Sequence, residues 1–396
     1  MTFVNINDLR LASKKRLPKL LFDYIDGGSL SEETHRRNIS DFSKLRLRQN
    51  VLGEYAEPDL TTEYLGSKHP LPFMLGPVGF LGLYSRNGEQ KAATAAHAAG
   101  IPLCLSNFSI ASLADLRRVT AGELNFQLYL LDDRTLCEDF LSAAESAGVE
   151  KLFVTVDTAI TGIRERDVRN GFRSLTHVTP KLFASMCLRP RWLLEMGPGG
   201  MPSVRAVAHR NDFGKGALEQ AANLSRRIDK RVSWKDIEVL RDRWKGKLII
   251  KGILAPEDAV SAQNIGVDGI VVSNHGGRQL DGAMSTITAL PAIRAAVRPD
   301  FSLMLDGGVR RGSDIIKAIG LGADGVMLGR AYTFGLAAAG KAGVEHTIET
   351  LRREITVTMT LMGVNSIADL KKRGRDLIIE DERLTPTKDE SLFQTE

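Results

Sequence analysis

The sequence predicts a (β/α)8 barrel, the TIM barrel of the α/β class, with an N-terminal helical lead-in and a long insertion after strand 4. Three observations carry this reading. Eight short apolar runs punctuate the chain, as strands buried on both faces would. Helix-like stretches of crossover length lie between most of them, and strand–helix alternation repeated eight times closes a parallel barrel. Each run ends at polar or glycine residues, the end at which a barrel carries its chemistry.

Residues 1–65 read as the lead-in. From Met1 to Tyr24 it is amphipathic and basic (Arg10, Lys14, Lys15, Arg16, Lys19), with no apolar stretch before a small-residue cleavage site, so it is expected in the mature protein. The predicted strands are Pro72–Gly76, Pro102–Ser106, Asn125–Tyr129, Leu152–Val156, Leu248–Lys251, Gly269–Ser273, Ser302–Leu305 and Gly325–Leu328. Crossover helices are predicted at Gly88–Ala99, Arg134–Ala147, Pro256–Ile265 and Gly312–Leu321. From Asp157 to Lys247 there are about ninety residues where other strand spacings are roughly 20 to 35, so the fourth connection carries an insertion at about 170–235. The barrel is expected to close without it. After Arg330 the pattern is helical to about Lys372. One domain, 1–372, is therefore expected, with 373–396 a charged, loosely ordered tail.

The 396 residues are 43% hydrophobic and 26% charged, which is globular composition. No stretch approaches the roughly 18 uninterrupted apolar residues of a spanning helix. A net charge of +5 permits an anionic substrate, a phosphate cofactor or an anionic membrane surface, and is too weak for a nucleic-acid partner. Three cysteines without a C-x-x-C pair give neither a disulfide framework nor a zinc site, and no metal is expected; a reducing cytoplasm fits.

The residues ending the runs are Pro77-Val78-Gly79, Ser106-Asn107-Phe108, Gln127-Leu128-Tyr129, Thr155-Val156-Asp157, Lys251, Ser273-Asn274-His275, Asp306-Gly307-Gly308 and Gly329-Arg330. A Lys, a His and two Asp at one end of a barrel form a strong set, though each alone is weak. Asp306-Gly307-Gly308-Val309-Arg310-Arg311-Gly312 and Gly329-Arg330 follow strands 7 and 8, the loops that commonly bind phosphate in this fold. Connecting turns without a ligand are the plain alternative. Gly335 to Lys341 resembles a P-loop but ends in Ala342, lacks a preceding strand and is rejected.

His275 alone among seven histidines sits at a strand end within a glycine-flanked segment, which makes it the candidate base, with Asp157 to orient it. His97 reads as packed or surface; His35, His69, His177, His209 and His346 are expected to be solvated. Arg278 and either Arg164 or Arg166 offer guanidinium forks for a carboxylate. A base between two such clamps implies chemistry at the carbon beside a carboxylate.

In this order the residues resemble the FMN-dependent L-2-hydroxy acid dehydrogenases and oxidases over roughly residues 5 to 370. Ser273-Asn274-His275-Gly276-Gly277-Arg278-Gln279-Leu280-Asp281 is the most specific motif; Gln127-Leu128-Tyr129, Thr155-Val156-Asp157 and Asp306-Gly307-Gly308-Val309-Arg310 support it. The resemblance implies FMN as cofactor. It implies that Tyr24, Arg164 and Arg278 hold the substrate carboxylate, Tyr129 the 2-hydroxyl, and His275 with Asp157 removes a proton. Lys251 would face N1 of the reduced flavin. Pro77, Val78, Gly79, Ser106, Gln127, Thr155 and Ser273 would line the ring, Asp306 the ribityl chain, and Gly307, Gly308, Arg310, Gly329 and Arg330 the phosphate end.

Oxidases of this family usually carry Ala where this chain has Gly79, which favours a dehydrogenase. Phe108 and Thr161 are expected to border the side-chain pocket. Arg36-Arg37-Asn38, Leu81-Gly82-Leu83-Tyr84 and Thr356–Leu361 resemble respiratory L-lactate dehydrogenases, whereas Gly162–Asp167 resembles (S)-mandelate dehydrogenase. L-lactate is the expected substrate, with (S)-mandelate or an oxidase activity as alternatives. An unrelated alternative is a sugar-phosphate isomerase or aldolase barrel using Lys251 as nucleophile or base.

A quinone or other external electron acceptor and a homotetramer are also expected. Between Val178 and Lys215, basic residues (Lys181, Arg189, Arg191, Arg205, Arg210, Lys215) alternate with Leu182, Phe183, Met186, Leu188, Trp192, Leu193, Leu194 and Met196. Such a segment can lie in an anionic bilayer interface, which would place the protein peripherally on the cytoplasmic side of the inner membrane. A lid or subunit contact is the alternative.

Overall fold

A computed structural model describes residues 2–53, 56–172, 185–200 and 202–380. Eight parallel strands close a barrel in sequence order: β1 (Phe73–Leu75), β2 (Leu103–Ser106), β3 (Leu124–Leu128), β4 (Lys151–Thr155), β5 (Lys247–Ile253), β6 (Gly269–Val272), β7 (Ser302–Leu305) and β8 (Gly325–Leu328), which returns to pair with β1. The runs are continuously apolar because both faces are buried. Met74, Cys104, Phe153, Ile249, Val271, Met304 and Met327 form one buried cluster inside the barrel. Their neighbours along the strands, such as Phe73, Leu75, Leu152, Val154, Leu248 and Ile250, face outward into the helical layer. The crossover helices run Gly88–Ala98, Arg134–Ser146, Pro256–Ile265 and Gly312–Gly320, each within one residue of its expected end. Gly335 to Lys341 lies within the helix Arg330–Met362, on the near side of and across a break at Ala339-Gly340, and forms no loop after a strand.

Three expectations need correction. The lead-in is not wholly helical: after helices Ile6–Arg16, Lys19–Asp26 and Glu33–Ser40 it forms the strand Leu45–Leu47 and the hairpin Thr62–Tyr64/Ser67–His69. Tyr64 and Leu65 of that hairpin plug the N-terminal end of the barrel, where Lys151 Nζ donates to Ser67 Oγ (2.8 Å) and Glu123 Oε1 (2.7 Å). His69 is therefore buried against the Tyr64 ring, at 4.1 Å between centroids, rather than solvated.

The fold also continues past Lys372. Helix Ile367–Leu377 leads into Ile378–Glu380, which pairs antiparallel with Leu45–Leu47. Edge pairing of the lead-in with the chain's far end gives both a hydrogen-bonding partner. Residues 381–396 of the expected tail lie outside the described residues.

Finally, Trp192, expected among the residues entering a bilayer interface, packs with the described part of the insertion onto the barrel. Trp192 is 6% exposed, and its Nε1 donates to Leu83 O at 2.9 Å. Glu195 accepts from Ser85 Oγ (2.6 Å) and Lys91 Nζ (2.8 Å), and pairs with Arg16. Val204, Val207 and Phe213 are fully buried. The helix Pro190–Met196 thus turns its aromatic residue and its carboxylate inward, leaving Leu188 and Leu194 exposed. Lys181, Leu182, Phe183 and His177 lie outside the described residues.

Candidate active site

The turn after β6 fixes the site's central residue. His275, Gly276 and Gly277 have φ of +57°, +62° and +73°, three left-handed residues in succession. For histidine this conformation is uncommon and needs support from its surroundings. The support is specific: the Asn274 and Asn38 amides bond each other reciprocally at 2.8 Å, and Asn274 Oδ1 accepts from Gly277 N at 3.1 Å. A Cβ on Gly277 would lie 2.5 Å from the His35 backbone nitrogen, so the lead-in packs directly on this turn.

The turn aims the His275 ring into the barrel mouth. Nδ1 lies 2.8 Å from Asp157 Oδ1, and Nε2 lies 3.4 Å from the Tyr129 hydroxyl. Beside an ionised Asp157, Nδ1 carries the proton and donates it, leaving Nε2 as a proton acceptor. Burial lowers the His275 pKa below its ordinary 6.5, against the raising effect of Asp157. Asp157 itself stays below the usual carboxylate range: burial opposes this, and its interaction with His275, which donates a hydrogen bond to it, and the charge of Lys251 outweigh it. Burial raises the Tyr129 phenol, which remains a donor. A pH dependence follows. Protonation of Nε2 removes the acceptor, so activity is lost as pH falls through the His275 pKa. The acid limb of kcat/KM is therefore expected below pH 6.5, measurable as flavin-linked turnover from pH 4.5 to 8; a midpoint above 6.5 would show that His275 does not titrate as this geometry requires.

Lys251 sits on β5 beneath this dyad. Its Nζ donates to Ser273 Oγ and pairs with Asp306 Oδ2, both at 2.8 Å. Burial would lower its pKa, but Asp306 and Asp157 hold it raised, so it is an ammonium. A neutral nucleophile or base is not available here, which removes the physical basis of the aldolase alternative.

The three residues expected at a carboxylate converge. The Arg278 guanidinium carbon lies 4.7 Å, and that of Arg164 5.7 Å, from the centroid of the Tyr24 ring. Arg278 Nη1 donates to the carbonyls of Tyr24 (2.6 Å) and Gly27 (2.9 Å), fixing the lead-in across the mouth. Arg164 lines the cavity; Arg166 instead pairs with Asp26 (3.1 Å) and Glu32 (2.5 Å) away from it. Arg164 also pairs, with Asp167 at 3.8 Å, so what distinguishes the two arginines is that only Arg164 lines the cavity.

At the far end of the cavity, Gly307 and Gly308 have φ of +93° and +80°. A Cβ on Gly308 would fall 1.7 Å from Asn38 O, so only glycine lets the β7 loop pass the lead-in. Arg330 donates through Nε, Nη1 and Nη2 to the carbonyls of Ile25, Gly276 and Gly27. Burial lowers Arg330, with further lowering by Arg278 and Arg310, and burial lowers Arg310 to about 10. Both remain cations at neutral pH. Three mutually repelling guanidinium groups beside a glycine loop suit an anion such as phosphate. His35, expected to be solvated, is half-buried here; burial, then Arg330 and Arg310, push it down to about 2, so it is neutral.

One cavity unites these features. Every expected site residue lines it except Asp157 and Ser273, which stand behind His275 and Lys251 and bond to them. Phe108 and Thr161 line it as well. The buried polar atoms without a protein partner among the described residues include, in its wall, the donor Gln127 Nε2, the acceptor Asp306 Oδ1 and the Tyr84 hydroxyl. Together with the cations, they fit a planar hydrogen-bonding ring with a polyol-phosphate tail. Sequence reasoning missed Phe172, stacked on Tyr24 at 4.2 Å, and the roof made by Leu218, Ala221, Ala222 and Ser225 of helix Ala217–Arg226. The available signal was topological: an insertion leaving the end of β4 starts at the cavity mouth.

Comparison with known proteins shows the family. The family model for FMN-dependent dehydrogenases matches residues 13–376. An L-lactate dehydrogenase of Allorhizobium ampelinum is 43% identical over 371 residues, 93% of this chain and 98% of the relative. One from Vibrio cholerae serotype O1 is 44% identical over 366 residues, 92% of this chain and 97% of the relative. The crystal structure of a monotopic membrane protein, (S)-mandelate dehydrogenase, superimposes with a TM-score of 0.91 at 36% identity, covering 96% of this chain and 100% of that one. A soluble mutant of the membrane-associated (S)-mandelate dehydrogenase of Pseudomonas putida gives 0.80 at 35% identity, again with 96% and 100% covered. This chain belongs to the FMN-dependent dehydrogenase family.

Proposed function

We propose that the protein oxidises an L-2-hydroxy acid, L-lactate in the first place, to the 2-oxo acid at FMN, and passes the electrons to an external acceptor, a quinone. The observation that carries the reading is the His275 Nε2 acceptor, held by Asp157 and facing Tyr129, beside Arg164, Arg278 and the buried Lys251. The L-lactate dehydrogenase relatives support the choice of substrate.

When bound, FMN supplies a two-electron acceptor. Gln127 Nε2, Ser106, Thr155 and Ser273 with the backbone of Pro77, Val78 and Gly79 would hold the ring, and Asp306 Oδ1 would take a ribityl hydroxyl. Gly307, Gly308, Arg310 and Gly329 would surround the phosphate, with Arg330 acting there through its charge because its N–H groups are engaged with carbonyls. Lys251 would supply a fixed positive charge to offset the negative charge of the reduced ring. Tyr24, Arg164 and Arg278 would orient the substrate carboxylate, Tyr129 would donate to or accept from its 2-hydroxyl, and His275 Nε2 would accept the proton that the substrate gives up.

A second reading, an aromatic hydroxy acid such as (S)-mandelate, is favoured by the aromatic wall of Tyr24, Phe108 and Phe172. Anaerobic mixing of the holoenzyme with L-lactate, (S)-mandelate and glycolate separates the two. Fastest flavin bleaching by L-lactate is expected; fastest bleaching by mandelate would give the second reading precedence, and bleaching by none would remove both.

Gly79 bears on the acceptor. A methyl added there would meet Phe108 Cβ at 3.0 Å, so it fits with a shift of a few tenths of an ångström and crowds the ring-facing loop. Gly79→Ala is expected to speed reoxidation by oxygen while flavin reduction is retained. Stopped-flow reoxidation equal to the parent's would remove Gly79 as a determinant.

Membrane contact is proposed as peripheral, on the cytoplasmic face of the inner membrane. No helix of the described residues is long and apolar enough to cross a bilayer. Leu188 (74% exposed) and Leu194 (77%) beside the exposed Arg191 are the described part of the surface that would enter the interface; Trp192, buried under Leu83, is not. Exchanging both leucines for Ser is expected to reduce cosedimentation with anionic vesicles at least tenfold, since interfacial burial of each is worth about 1 kcal/mol or more. Equal cosedimentation, or none by the parent at low salt, would contradict the membrane reading. Val357 and Leu361, exposed one helical turn apart, support a subunit contact in a homotetramer, which analytical ultracentrifugation measures.

A further inference from the structure

A second cavity, of about 270 Å³, opens at the same end of the barrel, between the ends of β4 and β5 and the helix Trp234–Arg243. That is many times the roughly 10–15 Å³ a single water requires. Thr155, Thr158 and Ile228 line both this cavity and the active site, so the wall between them is one residue thick. Thr155 ends β4 directly beside Lys251 in the barrel register.

Its lining has two characters. Leu130, Val232, Trp234, Ile237 and Ile253 give apolar surface, with Trp234 half-buried and Ile237 and Ile253 buried. Lys230 supplies a cationic donor at the rim and has no ion pair among the described residues; of the two carboxylates in the lining, Asp258 and Asp229, the latter is already bonded by Arg134 (2.8 Å) and Arg231 N (2.9 Å). The wall is also fixed in place. Asp132 N donates to Arg227 O and Asp229 N to Leu130 O, both at 2.9 Å, which ties the chain leaving the roof helix to the loop after β3.

We propose that this cavity binds the ring of the electron-accepting quinone, apart from the hydroxy-acid site. The inference rests on the functional reading above, in which the reduced flavin needs an external acceptor. A quinone has flat apolar faces for Trp234, Val232 and Ile237, and a carbonyl oxygen to accept from Lys230. The step balances: the reduced flavin, an anion beside the Lys251 ammonium, would give up two electrons and one proton and return to its oxidised form, the proton that His275 Nε2 took from the substrate would be released through solvent as the second, and the two quinone carbonyls, gaining two electrons and two protons, become hydroxyls. With a separate site, acceptor and 2-oxo acid product need not exclude one another, and the electrons cross the wall at Thr155 and Thr158.

The test uses the full-length holoenzyme and a short-chain, water-soluble ubiquinone analogue. Its binding to the oxidised protein is read by tryptophan quenching and by equilibrium dialysis, and flavin reduction by L-lactate is followed separately under anaerobic conditions. Val232→Trp, which fills the cavity, is expected to weaken quinone binding at least tenfold, and Lys230→Gln, an exposed change that does not threaten folding, about fivefold. Flavin reduction should stay within twofold of the parent in both. Excess oxalate, an anion for the Arg164–Arg278 end, should leave quinone binding unchanged. Competition by oxalate, quinone affinity unaltered in both variants, or no binding by the parent would overturn the proposal. Failure of L-lactate to reduce the flavin would count instead against the substrate reading, because the binding measurement does not depend on it.

Discussion

His275→Gln is expected to leave FMN bound and substrate affinity nearly unchanged while flavin reduction falls by at least the roughly 10²–10⁴-fold that general-base catalysis contributes. Gln keeps hydrogen-bonding capacity but has no basic nitrogen in place of Nε2, the atom that faces Tyr129 at 3.4 Å. The left-handed backbone at this position (φ +57°) suits Asn better than Gln, so His275→Asn serves as the control for strain. Both variants should show the same loss in anaerobic stopped-flow reduction and an unchanged flavin content. Near-normal reduction in either would exclude His275 as the base.

Lys251→Met is expected to have the second large effect, on both cofactor retention and chemistry. It removes the cation from between Asp306, at 2.8 Å, and Asp157, leaving two buried carboxylates without their shared partner. Breaking a buried pair in this way costs on the order of 3–5 kcal/mol. The purified variant is expected to carry little flavin, and any flavin retained should be reduced at least about 10²-fold more slowly. Because the Lys251 charge also helps to lower His275, the acid limb of the residual activity should move up in pH. Full flavin content with normal reduction would show that this ion pair is not the electronic lever assigned to it.

The barrel was legible because its strands are buried on both faces, which turns each into an unbroken apolar run, and because Pro256, Gly88 and Asp133 mark where helices begin. Site residues were legible for a related reason: in a parallel barrel, whatever ends a strand faces the mouth. What escaped was set by distant partners. Leu45–Leu47 and Ile378–Glu380 are strands of three residues, too short for a period, and each exists through the other. His35 looks like a surface residue of a polar helix until the Gly277 turn and the Arg330 and Arg310 charges close over it. The insertion shows the same limit. Its amphipathicity was evident, but not that Trp192 would bond to Leu83 O while Leu194 stays outside, since the pattern says that a face is covered and not by what.

On this reading the site breaks the C2–H bond of an L-2-hydroxy acid with FMN as the electron acceptor. An anaerobic single turnover of the holoenzyme with L-lactate, unlabelled and deuterated at C2, tests it most directly. Stoichiometric flavin bleaching is expected, with one 2-oxo acid formed per flavin, slowed severalfold by deuterium, and no bleaching by D-lactate. An unbleached flavin with L-lactate and with the other L-2-hydroxy acids would contradict it.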